Sequence, residues 1–258
     1  MHNPIADNFL PIVILHVFFL PNVATAVYGF IPYIAQAWSI GTEEQSYILW
    51  PLLLKKFPKN RITLMMLLIV VYVLIRFLLS EKFPFYIPNR EILSQFWWHF
   101  NIDAIAVGGL FAVLLFKKSP LLKGLLNTRV FVITTFFTLL LLSLGVRIPV
   151  FHYLGYSFLF GIIIVNLAAN KQLKNTLEWS VLKYLGTISY GIYMYHFPIM
   201  IFAIVIGLQL NIENSWFVYV ITILGSIGVS SVSYHYFEGF FLKLKVKYTV
   251  LKSGGSKF

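Results

Sequence analysis

ITLMMLLIVVYVLIRFLLS, residues 62–80, decides the fold: one charged side chain, Arg76, interrupts an otherwise apolar run. Wound as an α-helix, the stretch spans about 28 Å, close to the hydrocarbon thickness of a bilayer. Seven further stretches read the same way, at about 9–31, 38–54, 101–116, 130–146, 150–170, 184–208 and 216–239. The expected fold class is all-α, a polytopic membrane helical bundle of about eight transmembrane helices. Composition agrees: 59% of the 258 residues are hydrophobic and 11% are charged, where a soluble domain carries roughly 25% charge. The second stretch, polar at its start, is the weakest of the eight.

The charges set the topology. Of 20 Lys and Arg residues, 16 fall in four connections, KKFPKNR, KKSPLLKGLLNTR, KQLKN to Lys183, and KLKVKY with the tail, while Arg76, Lys82, Arg90 and Arg147 take the alternate side. The positive-inside rule then puts both termini in the cytoplasm. Most carboxylates, among them Glu43, Glu44, Glu81, Glu91, Asp103 and Glu213, fall on the outer side. This dispersed placement, without a basic stretch interleaved with aromatics, argues against nucleic acid as a partner despite a formal charge of +11. Membrane lipid is the expected partner. Cysteine is absent, so no disulfide or thiol chemistry is expected. The first residues, MHNPIADN, lack the basic n-region of a cleaved signal peptide. The connection near 81–100 carries Phe96, Trp97 and Trp98 at headgroup level, which fits a surface or re-entrant helix.

Polar groups at membrane depth are costly and mark candidate sites. WSIGTEEQSYILWP, residues 38–51, sets Glu43 and Glu44 at the mouth of a helix, with Tyr47 four residues after Glu43 on the same face and Ser39 and Thr42 just upstream. The plain alternative is a capped helix end with Trp38, Tyr47 and Trp50 as an aromatic belt. In YLGTISYGIYMYHFPI, Ser189, Tyr193 and His196 share a stripe, with His196 about 18 Å from the helix start at 1.5 Å per residue. Pro198 removes the amide that would bond the Met194 carbonyl and should kink the helix. The stripe either lines a cavity or holds an interhelical hydrogen bond. Asp103, one turn inside its span, fits a helix N-terminal cap, and Gly108-Gly109 allow close helix approach. His235 and Glu238, three apart, suit a local pair, and His16 is an isolated structural histidine. No GxSxG, P-loop, GxGxxG or HExxH motif occurs, and no metal is implied.

Four stretches, in order and covering roughly 9–247, together resemble the acyltransferase 3 family of integral-membrane acyltransferases. WSIGTEEQSYILWP is similar to its WSLxVExxFYxxxP block and NIDAIAVGGLFAVL to its Asp-Ala-Gly span. LGTISYGIYMYHFPI resembles LGxxSYxxYLxHxP, and SYHYFEGFFLKLK resembles a closing YxxxExPxxxL helix. The departures are equally specific. The family's basic residue and His of the first helix, and its FFxxSG segment, have no counterpart here, and His16 lacks the preceding basic residue. The usual Phe before the Tyr is Ser46, and an Arg often found two before the Asp is Asn101.

The resemblance implies a membrane domain over 1–242, lacking the family's first two or three helices, and a basic cytoplasmic tail over 243–258. Either the reading frame is truncated or mis-started, or this is a shortened, non-catalytic member. It further implies a membrane O-acyltransferase of the bacterial inner (cell) membrane, moving an acyl group, commonly acetyl, from acyl-CoA (acetyl-CoA) to a hydroxyl of an envelope glycan or exopolysaccharide. Glu43, Tyr47 and His196 would be catalytic; Trp38, Ser39, Asp103, Ser189 and Tyr193 would bind substrate. Without the first-helix His, this chain alone is expected to be weak or inactive. The competing readings are a transporter, with the buried His and Asp as a proton path, and a non-catalytic membrane scaffold.

Overall fold

The computed structural model describes residues 7–81, 83–147, 151–173, 176–212 and 214–248. Every regular element among them is helical: α1 (Phe9–Val17), α2 (Pro21–Tyr28), α3 (Trp38–Lys56), α4 (Arg61–Leu78), α5 (Arg90–His99), α6 (Ile102–Phe116), α7 (Pro120–Leu125), α8 (Thr128–Ser143), α9 (His152–Ala169), α10 (Ser180–Thr187), α11 (Ser189–Gln209), α12 (Ser215–Ser233), a π-turn (Tyr234–Glu238), α13 (Gly239–Tyr248) and two short 3-10 turns (Ala35–Ala37 and Lys171–Leu173). Five helical stretches are long and apolar enough to cross a membrane: Arg61–Leu78, Arg90–Phe116, His152–Ala169, Ser189–Gln209 and Ser215–Leu244. The chain is an integral-membrane helical protein. Most of the expected tail, 243–258, lies outside the described side chains, as do the charges of Lys82 and Glu213.

Where the eight expected spans differ from these five, local chemistry gives the reason. The 9–31 stretch divides because Phe19 takes a left-handed φ of 57° and Pro21 opens a new helix, a position where its missing N–H costs nothing. The segment 130–146 forms α8, apolar but shorter than a full span. Residues 38–54 become α3, a helix too polar in its first half to count among the five. The 184–208 stretch turns at Ile188, where the Ser189 hydroxyl donates to Gly186 O at 2.8 Å. The 81–100 connection holds α5, which runs into α6 as one apolar stretch.

By contacts the chain falls into two compact units. One comprises Met1–Ile31 and Ala37–Glu178, the other Pro32–Gln36 and Trp179–Phe258, as far as these residues are described. In the first, α6 buries Ile102, Asp103, Ala106, Val107, Leu110 and Phe111, and α4 buries Leu64, Met65, Ile69, Tyr72 and Arg76. These are stripes at helical spacing, and α4, α6 and α9 close on them with Leu122 of α7, Leu154 and Val165 in one core. The opposite face of α4, with Leu67, Val70, Leu74 and Phe77, is exposed. Lipid tails solvate such a face at no penalty. Close approach depends on glycine: a Cβ at Gly109 would come within 2.7 Å of the Trp50 ring and 3.0 Å of Met65 Sδ. In the second unit, α11 and α12 pack side by side, with Gly191 against Ser230.

Candidate functional site

The first unit gathers its polar residues where α3 begins, α4 ends, and α5 passes into α6. Thr42 of α3 donates to His99 O at 2.9 Å, in preference to its own helix's Trp38 O at 3.4 Å. Trp38 meets the His99 ring edge-on at 5.2 Å. Both contacts tie the first turns of α3 to the end of α5. On the other side, the Tyr72 hydroxyl of α4 donates to Trp97 O at 2.5 Å, with Asn101 Oδ1 at 3.2 Å as the alternative acceptor for its single hydrogen.

Glu43 and Tyr47 are exposed on α3, whose buried residues are Gly41, Thr42 and Ser46; Tyr47 is 64% exposed. Glu43 has no hydrogen-bond or ion-pair partner among the described residues. Its carboxylate is therefore available to an external group. Ser39 sits one turn earlier, half-buried.

Asp103 departs from the expected cap. It lies in the first turn of α6, where the helix dipole favours it, yet neither carboxylate oxygen has a hydrogen-bond partner among the described residues, and the residue is 1% exposed. Arg76 is buried beside it at 7% exposure, close enough for the two charges to interact, with its guanidinium carbon 4.4 Å from the Trp98 ring centroid. The charge pattern places Arg76 among the four basic residues of the outer side. Its inward aim follows from register, since it lies four residues after Tyr72 and seven after Ile69 on the buried stripe. That spacing was the available signal.

The second unit holds the other expected residues. His196 Nδ1 meets Tyr193 O at 2.6 Å, and the two rings lie 5.7 Å apart. A carbonyl only accepts, so Nδ1 carries the hydrogen in the neutral ring and Nε2 keeps a lone pair. Nε2 has no partner among the described residues. Tyr193 and His196 thus share a face as expected, whereas Ser189 spends its hydroxyl on Gly186. Gln36 clamps this stretch of α11. Its Nε2 donates to Met194 O at 2.7 Å, the carbonyl that Pro198 deprives of an amide, and its backbone carbonyl accepts from Tyr193 Oη at 2.7 Å. α11 continues through Pro198.

Two further polar networks carried no sequence signal. Asn22 and Gln45 pair their amides reciprocally at 3.0 and 2.9 Å, joining α2 to α3. At the end of α12, Ser233 bridges Tyr195 Oη at 3.0 Å and Glu238 Oε1 of the π-turn at 3.1 Å. This corrects the expected His235–Glu238 pair: the π-turn changes the register, and His235 Nδ1 instead meets Ser231 O at 2.8 Å. His16 likewise meets Ile12 O at 2.8 Å, a local structural contact.

The acyltransferase domain of the acyltransferase 3 family matches residues 8–235. The chain belongs to this family of membrane acyltransferases. No curated protein and no solved structure matches it significantly.

Proposed function

We propose that this protein is an O-acyltransferase that carries an acyl group, acetyl in the first instance, from acyl-CoA to a hydroxyl of an envelope or exopolysaccharide glycan. The family supplies the acyl-transfer chemistry. The observation that carries the finer reading is the grouping at one end of the first unit of an exposed, unpartnered Glu43 with a buried, unpartnered Asp103. An apolar chain maintains a buried carboxylate such as Asp103 against its desolvation cost where a polar substrate uses it. The charge pattern supports a membrane orientation with both termini in the cytoplasm, which puts this end of the unit outside, facing the glycan.

In the reaction, the sugar hydroxyl oxygen bonds to the thioester carbonyl carbon, the C–S bond breaks, and CoA leaves as the thiolate. The hydroxyl proton must pass to a base and on to that thiolate. Glu43 takes or orients the proton at the acceptor, with Tyr47 and Ser39 shaping its surroundings and Trp38 flanking the acceptor. Within the second unit, His196 offers an Nε2 lone pair for proton transfer, and Ser189 and Tyr193 of α11 are the proposed substrate-binding residues. General acid–base groups contribute about 10²–10⁴-fold to such reactions.

The test uses membranes containing the full chain, radiolabelled acetyl-CoA and extracted envelope polysaccharide. Wild-type protein should label the polysaccharide, and Glu43→Gln should lower the rate by at least about 100-fold. Wild-type transfer by Glu43→Gln would remove its catalytic role. Absence of CoA-dependent labelling by the wild type would reject the donor.

A further inference from the structure

Residues 104–177 contain no Asp or Glu. Basic residues of that run nevertheless collect at one end of the first unit. Lys117 and Lys118 follow α6, Lys123 lies in α7, Arg129 is in the first turn of α8, and Lys171 follows α9. All five are exposed, and none forms an ion pair among the described residues. Side-chain bonds staple the two connections that carry them. Asn166 Nδ2 donates to Leu125 O at 2.9 Å, Asn170 Nδ2 to Thr128 Oγ1 at 3.3 Å, and Thr128 Oγ1 to Gln172 Oε1 at 2.5 Å. The connection from α6 to α8 and the one after α9 therefore form one surface, and Leu122 of α7 anchors it in the core.

This surface lies at a membrane boundary, because two of the membrane-length stretches end there, at Phe116 and Ala169. Beside the lysines, Phe116 is 85% exposed and Leu121 is 76% exposed. Cations set next to large open apolar side chains suit neither bulk water nor hydrocarbon. They suit a phospholipid, whose phosphate meets the cations while its acyl chains cover the apolar groups. The cations repel one another, and the surrounding run supplies no carboxylate to offset them. Their counter-charge must come from outside the run, and a headgroup with net negative charge supplies it where a zwitterionic one does not.

We propose that Lys117, Lys118, Lys123, Arg129 and Lys171 form a binding site for the headgroup of an anionic phospholipid, with Phe116 and Leu121 against its acyl chains. The site is independent of the acyl-transfer reading above.

The test places the full chain in phosphatidylcholine nanodiscs with a trace of photoreactive phosphatidylglycerol, or of photoreactive phosphatidylcholine with the same acyl chains. Crosslinked peptides are then mapped by mass spectrometry. Phosphatidylglycerol should label residues 116–129 at least about fivefold more than phosphatidylcholine, the preference that a single cation contributes at a membrane surface. Changing Lys117, Lys118, Lys123, Arg129 and Lys171 together to Gln should abolish that preference. Lys55→Gln/Lys56→Gln/Lys59→Gln, which neutralises the connection between α3 and α4, should leave it unchanged. Equal labelling of the wild type by the two lipids overturns the proposal, and this arm needs no variant. A preference kept by the five-residue variant overturns it as well, and so does one lost in the three-residue variant, the mark of a diffuse basic belt. Displacement of phosphatidylglycerol by soluble CoA or inorganic phosphate would assign the cations to a soluble phosphate ligand and equally overturn it.

Discussion

The bond from Gln36 to the Met194 carbonyl allows the cost of Pro198 to be measured. Pro198 denies Met194 O its helical amide, and Gln36 Nε2 supplies a donor at 2.7 Å from a segment far away in sequence. Gln36→Leu keeps side-chain bulk and leaves the backbone carbonyl that Tyr193 uses. An interhelical hydrogen bond in a membrane is worth about 0.6 kcal/mol on average and up to about 1.7. This one belongs near the top, about 1.5 kcal/mol, because a buried carbonyl left without any donor costs about 1–3 kcal/mol. In a Pro198→Ala background the restored backbone amide can reach Met194 O, so the same Gln36→Leu change should cost little. Four proteins (wild type, each single variant and the double) would be unfolded reversibly by titrating SDS into mixed micelles, with helicity as the signal. The expected coupling is about 1–1.5 kcal/mol. Additivity within about 0.5 kcal/mol would refute the idea that Gln36 compensates the proline.

Three other outcomes follow from the packing. Gly161→Ala would drive its Cβ into the Phe111 ring where α9 meets α6, and should cost about 1–3 kcal/mol; Phe111→Leu in the same chain should recover most of it in the same SDS titration. Asn166, fully buried, donates to Leu125 O at 2.9 Å and Ile162 O at 3.0 Å; Leu125 O also accepts from Asn127 N at 2.9 Å, so Asn166→Leu strands no carbonyl and should cost about 0.5–1.5 kcal/mol, the net worth of the lost side-chain bond, in the same titration. Glu43→Gln, by contrast, should leave stability within about 0.5 kcal/mol of wild type, because Glu43 is exposed and unpartnered among the described residues; a larger loss would make its effect on transfer structural.

What the sequence determined is what depends on neighbours along the chain. Apolar length makes residues 62–80 a membrane helix wherever it packs, and α4 covers Arg61–Leu78. Pro198 must free a carbonyl, which follows from its missing N–H. The four family-like blocks identified the family, and the acyltransferase domain matches 8–235. The shared face of Tyr193 and His196 was legible from their spacing of three, and that of Glu43 and Tyr47 from their spacing of four, although the exposure of the latter pair was not.

Tertiary structure decided which partner each polar group received. No local rule could name Gln36 as the donor for Met194, because the two are 158 residues apart. A π-turn, which shifts register by one residue, took Glu238 from His235 and gave it to Ser233. Arg76 was visible as a charge near a helix end, and its register placed it on the buried stripe, but only the packing of α4 on α6 set it beside Asp103. The division has a single physical cause. Burying apolar surface is non-directional and can be satisfied by many arrangements, so its pattern is written in the chain, whereas a hydrogen bond needs one donor at one distance, which exists only once distant helices have packed.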